Sequence, residues 1–175
     1  MKLVSTALAA AVLAVAPEAA AQIDSIRLGV MDHNICVTDC KHANKESGVD
    51  INGEVRFASP GFLDWALSPH PYVMASVNTD GNTSYAGFGL EWDFAFADRW
   101  HFEPGLGYIM HDGATNNRFP SGTQEAVDYS SNHVLLGSQD LFRTNLSLTY
   151  DLTERWSLQA IYEHISHGQI LGEGR

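Results

Sequence analysis

The sequence is poor in cysteine, in basic residues and in long apolar runs. Its 175 residues include two cysteines and ten lysines and arginines, against 21 aspartates and glutamates. The formal net charge of −11 argues against a nucleic acid as a partner, because nucleic-acid-binding proteins present basic surfaces. Beyond residue 21, no apolar stretch approaches the ~20 residues that a membrane-spanning helix needs. The sequence therefore excludes a membrane helix in that part of the chain.

Residues 1–21 have the pattern of a secretory signal. Lys2 supplies a positive start, residues 3–15 are small and apolar, and residues 19–21 (Ala-Ala-Ala) fit a cleavage site before Gln22. The apolar run is too short to cross a bilayer, so we expect the segment to be removed rather than kept as an anchor. Residues 22–175 are then expected to form one exported domain.

The two cysteines lie close together, at Cys36 and Cys40. In an exported protein an even number of cysteines favours a disulfide, here closing a very small loop. Metal binding by these cysteines and His42 is the alternative, but a fourth ligand at a recognisable spacing is missing. The other scattered histidines show no ligand spacing and are predicted to be structural or solvent-facing, with no cofactor: His33, His70, His101, His111 and His133.

Apolar and polar residues alternate along the exported part, which predicts a series of β-strands. Residues 86–96 place aromatic and aliphatic side chains on one face, and glycine and carboxylates on the other. Residues 100–110 repeat this division. Seven strands are predicted in all, at or near 26–30, 51–57, 70–78, 86–96, 100–110, 142–150 and 156–166.

Strands of about ten residues with one aromatic face are typical of a transmembrane β-barrel. A soluble β-domain also alternates, but its strands are usually shorter. Glycine and carboxylates suit a narrow polar lumen. The predicted fold class is all-β, an antiparallel eight-stranded outer-membrane β-barrel with its aromatic faces outward. Aromatic residues at strand ends suit the two membrane interfaces: Trp100, Tyr108, Tyr150, Trp156 and Tyr162.

The lengths of the connections orient this barrel. The connections 97–99 and 151–154 are tight, as periplasmic turns are, whereas 36–48 and 112–133 are long and polar, as outer loops are. The connection 58–69 is longer than a periplasmic turn should be, and the pattern offers no explanation for it. Because bacterial barrels have even numbers of strands and residues 172–175 are loop-like, the last strand is expected to be missing from this chain.

The strand predicted at 156–166 ends in a histidine and a serine on its apolar face. His164 and Ser166 are two residues apart, so both side chains point to the same side. A serine becomes a nucleophile when a base takes its proton and a third group orients that base. At the outer end of the strand the pair would meet lipopolysaccharide, so the pattern suggests ester chemistry on a lipid. The alternative is an interfacial pair that only contacts headgroups.

Residues 162–170 (Tyr-Glu-His-Ile-Ser-His-Gly-Gln-Ile) resemble the catalytic segment of the PagL-type lipid A 3-O-deacylases, an acyloxyacyl hydrolase-like family. Residues 137–142 and 45–51 are similar to other segments of that family. The resemblance implies an eight-stranded outer-membrane barrel that hydrolyses the ester-linked acyl chain at the 3-position of lipid A. It also implies that Ser166 is the nucleophile and His164 its general base.

Two positions depart from the family's pattern. His167 stands where the family often has asparagine, which puts an oxyanion contribution from that side chain in doubt. The family's triad acid lies on the last strand, so it is unknown here and expected beyond Arg175, which would leave this chain inactive or nearly so. Glu163 points to the lumen by parity. Backbone N–H groups at His167 and Gly168 are candidate oxyanion donors, with a plain loop start at Gly168 as the alternative.

The expected partners are lipid A in lipopolysaccharide and the Gram-negative outer membrane, and a homo-oligomer is compatible with the sequence. The competing function is a non-enzymatic outer-membrane barrel of the structural or adhesion porin kind. A third hypothesis is a secreted lipid-binding barrel, which would have its apolar faces inside.

Overall fold

The computed structural model describes residues 22–35 and 45–172. The predicted signal segment 1–21 and the cysteines Cys36 and Cys40 lie outside these ranges, so what was predicted for them stays a prediction. The described residues form one antiparallel sheet with the order β1-β2-β3-β4-β6-β7-β8, and β5 beside β6. The strands are β1 (Ile23–Asp32), β2 (Val49–Phe57), β3 (His70–Asn78), β4 (Tyr85–Glu91), β5 (Phe94–Ala97), β6 (Trp100–His111), β7 (Asp140–Asp151) and β8 (Ser157–Ser166).

The sheet is a meander with seven positions, because β4 and β5 follow each other along β6. It curls into a half-barrel, and among the described residues β1 and β8 are not paired with each other. Each predicted strand is present, so the antiparallel β-fold is confirmed. The tight turns and the β2–β3 connection lie at one end, here called the turn end. The opposite end, where β1 leads to β2, β3 to β4 and β6 to β7, is called the loop end.

The strand predicted at 86–96 is interrupted, and the interruption has a cause in the facing strand. Trp92 donates its N–H to the carbonyl of Pro104 on β6, at 2.9 Å. The return bond of an antiparallel pair needs an N–H on the facing residue, which proline lacks. The ladder therefore breaks at residues 92–93, and one predicted strand becomes β4 and β5.

The outward face of the sheet is apolar. Exposed outward residues include Leu28, Phe88, Phe102 and Leu158, whereas Arg143 on the inward face is fully buried. This sidedness agrees with the predicted outward aromatic faces and is the reverse of what a secreted lipid-binding barrel requires.

The inward face carries a network of charged side chains that crosses the half-barrel. Arg27 on β1 donates to Glu54 on β2 at 3.0 Å, to Glu91 on β4 at 2.6 Å and to Glu103 on β6 at 2.8 Å. On the other side, Gln159 of β8 donates to Glu103 at 2.8 Å. Both edge strands are thereby linked to β6, and these links help to hold the sheet curled.

Towards the loop end the interior also contains apolar side chains. A cluster of buried side chains fills it, and the half-buried Leu136 and Ile165 pack against this cluster. Its members are Tyr72, Met74, Tyr85, Ile109 and Leu141. The interior thus combines the charged network with one apolar cluster.

The ring of Tyr72 lies over a pair of facing glycines, Gly89 on β4 and Gly107 on β6. A Cβ atom added at Gly89 would come closer than 3.0 Å to the Leu106 carbonyl oxygen and the Tyr72 hydroxyl. Glycine is needed here because the backbone and the ring leave no room for a side chain.

Replacing Gly89 by alanine is expected to lower the free energy of unfolding by at least ~1–3 kcal/mol, because the strand or the Tyr72 ring must move. Gly53→Ala is the matched control, since its Cβ would meet nothing closer than Leu28 Cδ2 at 3.8 Å. Urea unfolding of both variants measures the difference. Equal midpoints for the two would show that the ring is not closely packed on Gly89.

Among the described residues, two helices lie in the connections between strands, and strand alternation predicts neither. A 3-10 helix, Gly61–Ala66, occupies the connection between β2 and β3. The helix α1 (Gln124–Asn132) lies between β6 and β7, and the Thr123 hydroxyl caps it by accepting from the Ala126 N–H at 3.2 Å. In the part of the chain that the structure describes, no helix is both long and apolar enough to cross a membrane.

Candidate functional site

His164 and Ser166 lie at the loop end of β8, on its outward face. His164 is exposed and Ser166 is half-buried. They lie in the same outward row of β8 as the exposed residues Leu158 and Tyr162. The pair therefore continues the apolar face of this strand, as predicted. Across the sheet His164 faces Thr144 on β7, and Ser166 faces Phe142.

The two side chains share a face but form no hydrogen bond with each other. Within 22–35 and 45–172, neither the His164 ring nor the Ser166 hydroxyl has a side-chain partner. The contact of His164 with the neighbouring strand is made by its carbonyl oxygen, which accepts from the Thr144 hydroxyl at 3.4 Å. Both groups are therefore available on the outer wall, without the orienting contact that a triad requires.

After Ser166 the chain turns tightly. Gly168 and Gln169 have φ angles of 58° and 57°, in the left-handed region. The Ile170 and Leu171 N–H groups both donate to the His167 carbonyl at 3.1 Å, and the Gln169 N–H donates to His167 Nδ1 at 3.0 Å. The tight turn expected at Gly168 is thus present. An oxyanion role for His167 and Gly168 stays a prediction, and the His167 ring is used in holding the turn.

Glu163 lies on the opposite face of β8 from His164, as its parity predicts. Its carboxylate accepts from Arg143 Nε at 2.8 Å and from the Tyr85 hydroxyl. It is therefore part of the interior network and cannot orient His164.

A carboxylate that the sequence did not single out lies on the same outer wall. Asp140, at the start of β7, accepts a hydrogen bond from the Tyr108 hydroxyl. It lies two residues before Phe142, the cross-strand neighbour of Ser166. Only the strand register brings these residues together, because they are far apart in the sequence.

A cavity of about 690 Å³ opens at the loop end between β1 and β8. His164, Ser166 and His167 line one side of it, and its other walls include Ile109 and Leu141 of the apolar cluster. Charged residues such as Glu46 and Asp50 also line it, so the candidate residues border a space of mixed polar and apolar character.

Across this cavity, Glu46 connects three loops of the loop end. The carboxylate is 5% exposed and accepts from the Thr83 hydroxyl at 2.8 Å, the Val134 N–H at 2.9 Å and His33 Nε2 at 3.4 Å. Burial by itself raises the pKa of Glu46, but these hydrogen bonds outweigh it and lower the pKa to about 2. The hydrogen bond to Glu46, with a second to Asp50, raises the pKa of His33.

Glu46→Gln is expected to lower the free energy of unfolding by about 1–3 kcal/mol at pH 6, because a buried charge-assisted hydrogen-bond set is lost. The stabilisation from Glu46 is present above its unfolded pKa near 4.5 and is lost as the pH falls towards 2. The contribution of His33 is present below 6.5 and is lost as the pH rises through its raised pKa. The cost of the substitution should therefore be largest between about pH 4.5 and 6.5.

Urea unfolding at several pH values measures this dependence. Glu125→Gln, an exposed carboxylate in the first turn of α1, is the control. A cost that does not change with pH would contradict the ionised His33–Glu46 pair.

Comparisons with family models, with curated proteins and with solved structures found no match to this chain. The function must therefore be argued from the residues and their positions alone.

Proposed function

We propose that this chain forms the wall of an outer-membrane β-barrel in a Gram-negative cell, and that the barrel hydrolyses an ester-linked acyl chain at the 3-position of lipid A. In this proposal the exposed apolar face of the sheet meets the lipid. The unpaired edges of β1 and β8 would cost several kcal/mol per backbone group in a bilayer. The proposal therefore includes closure of the half-barrel to eight strands by a further strand between them.

The reaction assigned to the site is acyl transfer to serine followed by hydrolysis. The Ser166 oxygen attacks the ester carbonyl carbon while the His164 imidazole takes the hydroxyl proton. Collapse of the tetrahedral intermediate breaks the bond to the sugar oxygen, which receives that proton. Water, activated by the same imidazole, then releases the fatty acid and restores Ser166.

One observation supports this proposal above the others: a histidine and a serine stand two residues apart on an exposed apolar wall, in the same row as Leu158 and Tyr162. A polar pair in contact with lipid is energetically costly, and polar residues kept at such positions in membrane proteins are typically functional. Lipid A lies beside this end of the barrel in the proposed orientation.

The second candidate is a barrel without enzymatic activity. It is favoured by the lack of a hydrogen bond between His164 and Ser166, and by the lack of a carboxylate beside His164 among the described residues. An assay of fatty-acid release from lipopolysaccharide, by the barrel closed with the further strand and by its Ser166→Ala variant, separates the two candidates.

A further inference from the structure

The connection between β2 and β3 presents an apolar ridge to the outside of the molecule. In a 3-10 helix, residues three apart lie on one side. Phe62 and Trp65 of the helix Gly61–Ala66 are such a pair, and they are 76% and 84% exposed. Leu63 and Ala66, on the next side, are half-buried against the protein. Leu67 follows at the end of the helix and is also exposed.

Hydrogen bonds hold this ridge in one conformation. The helix ends at Leu67, whose φ of 66° is in the left-handed region and whose N–H donates to the Asp64 carbonyl at 3.2 Å. The Ser68 N–H donates to the Leu63 carbonyl at 3.2 Å, and the Ser68 hydroxyl to the Asp64 carboxylate at 3.1 Å. The apolar side chains are thus kept exposed by an ordered backbone.

A bond to the outer wall fixes where the ridge lies. The Trp92 indole N–H donates to the Ala66 carbonyl at 2.7 Å. Trp92 follows the fully buried Glu91, so it belongs to the outward row of the sheet. The 3-10 helix is therefore attached on the outward side at the turn end.

Other exposed apolar residues lie at the same end of the sheet. Phe96 and Trp100 continue the outward wall from Trp92, and Trp156 lies immediately before β8. The Trp100 and Tyr150 rings contact each other with centroids 4.8 Å apart and planes tilted by 48°. Aromatic residues in such a belt are typical of the boundary between headgroups and acyl chains.

We propose that Phe62, Trp65 and Leu67 form a lipid clasp that inserts into the interfacial region of the leaflet at the turn end. The clasp rests on the proposed membrane barrel and adds a contact that the strands alone do not make. Its occupant is phospholipid, because the ridge lies on the outward apolar wall and carries one charge, Asp64, on a different side of the helix. It also explains why the β2–β3 connection is longer than a simple turn.

The test measures whether lipid reaches the Trp65 side chain. The full chain and its Trp65→Phe variant are refolded into dioleoylphosphatidylcholine vesicles, and into vesicles of phosphatidylcholine brominated either near the headgroup or near the chain end. The difference between the two proteins gives the Trp65 emission. It should lose about half or more of its intensity with shallow bromines and less with deep ones, because interfacial segments insert ~5–10 Å.

Trp156→Phe is the matched control, because Trp156 is 74% exposed immediately before β8, at the turn end. Quenching of the Trp156 emission without quenching of the Trp65 emission would overturn the clasp and leave the membrane barrel standing. Quenching of neither would overturn both. A Trp65 emission that resists bromines and shifts with the protein-to-lipid ratio would show that a second copy of the chain covers the ridge, which also contradicts the clasp.

Discussion

In the barrel closed by the proposed further strand, replacing Ser166 by alanine is expected to lower the release of ester-linked fatty acid from lipid A by at least about 10³-fold, because the nucleophile is lost. The outer wall should be unaffected, since the Ser166 hydroxyl has no side-chain hydrogen bond within the described residues. Mass spectrometry of lipid A after incubation with purified protein detects the loss of one acyl chain. Heat-modifiable migration on a gel checks that the variant still folds.

His164→Ala should reduce the rate by a similar factor, and the double variant should be little worse than either single one. Residues that act as a unit in catalysis have losses that do not add. If His164 and Ser166 only contacted headgroups, neither substitution would change the rate of fatty-acid release from lipid A.

The control is Ser157→Ala at the opposite end of the same strand, where the hydroxyl bonds to Asp151 at 2.6 Å. It removes the same atom from the same strand but far from the proposed site, so the rate should stay at the parent value. If Ser166→Ala released fatty acid as fast as Ser157→Ala, the catalytic assignment would be wrong and the non-enzymatic barrel would be favoured.

The strands could be predicted from the sequence because they follow a short-range rule. In β6 and β7 most outward side chains are apolar or aromatic and most inward ones are small, polar or charged, so a period of two reveals both the strand and its face. The break between β4 and β5 could not be predicted in this way, because it is caused by Pro104 on the facing strand. That Pro104 lies opposite Trp92 can be recognised only once the register of the two strands is known.

The site was partly predictable for the same reason. His164 and Ser166 are neighbours on one strand, so their common face follows from their spacing. The Glu46 loop contacts and the position of Asp140 depend on residues that are far apart in the chain, such as Val134 and Tyr108. The ridge of Phe62 and Trp65 was missed because the alternation of a strand says nothing about a 3-10 helix.

The largest effect on stability is expected at Glu103, where the interior network converges. Its carboxylate is almost fully buried and accepts from Arg27 at 2.8 Å, Arg56 at 2.7 Å and Gln159 at 2.8 Å, as well as from the Thr149 hydroxyl. Glu103→Ala leaves the buried Arg56 and the half-buried Arg27 each short of a partner. Breaking a buried ion pair from one side typically costs ~3–5 kcal/mol, and we expect a loss of this size.

The facing residue on β7 supplies a matched control. Ser147 is paired with Glu103 in the sheet register, is equally buried, and its hydroxyl has no hydrogen-bond partner among the described residues. Ser147→Ala removes an unpaired polar atom from the same place, so its effect should be near zero or slightly stabilising. Urea-unfolding midpoints of the two variants in phosphatidylcholine vesicles measure the contrast. If Glu103→Ala unfolds at the same urea concentration as Ser147→Ala, the network does not hold the sheet curled. The links from Arg27 on β1 and Gln159 on β8 to Glu103 on β6 would then be a consequence of the curvature rather than one of its causes.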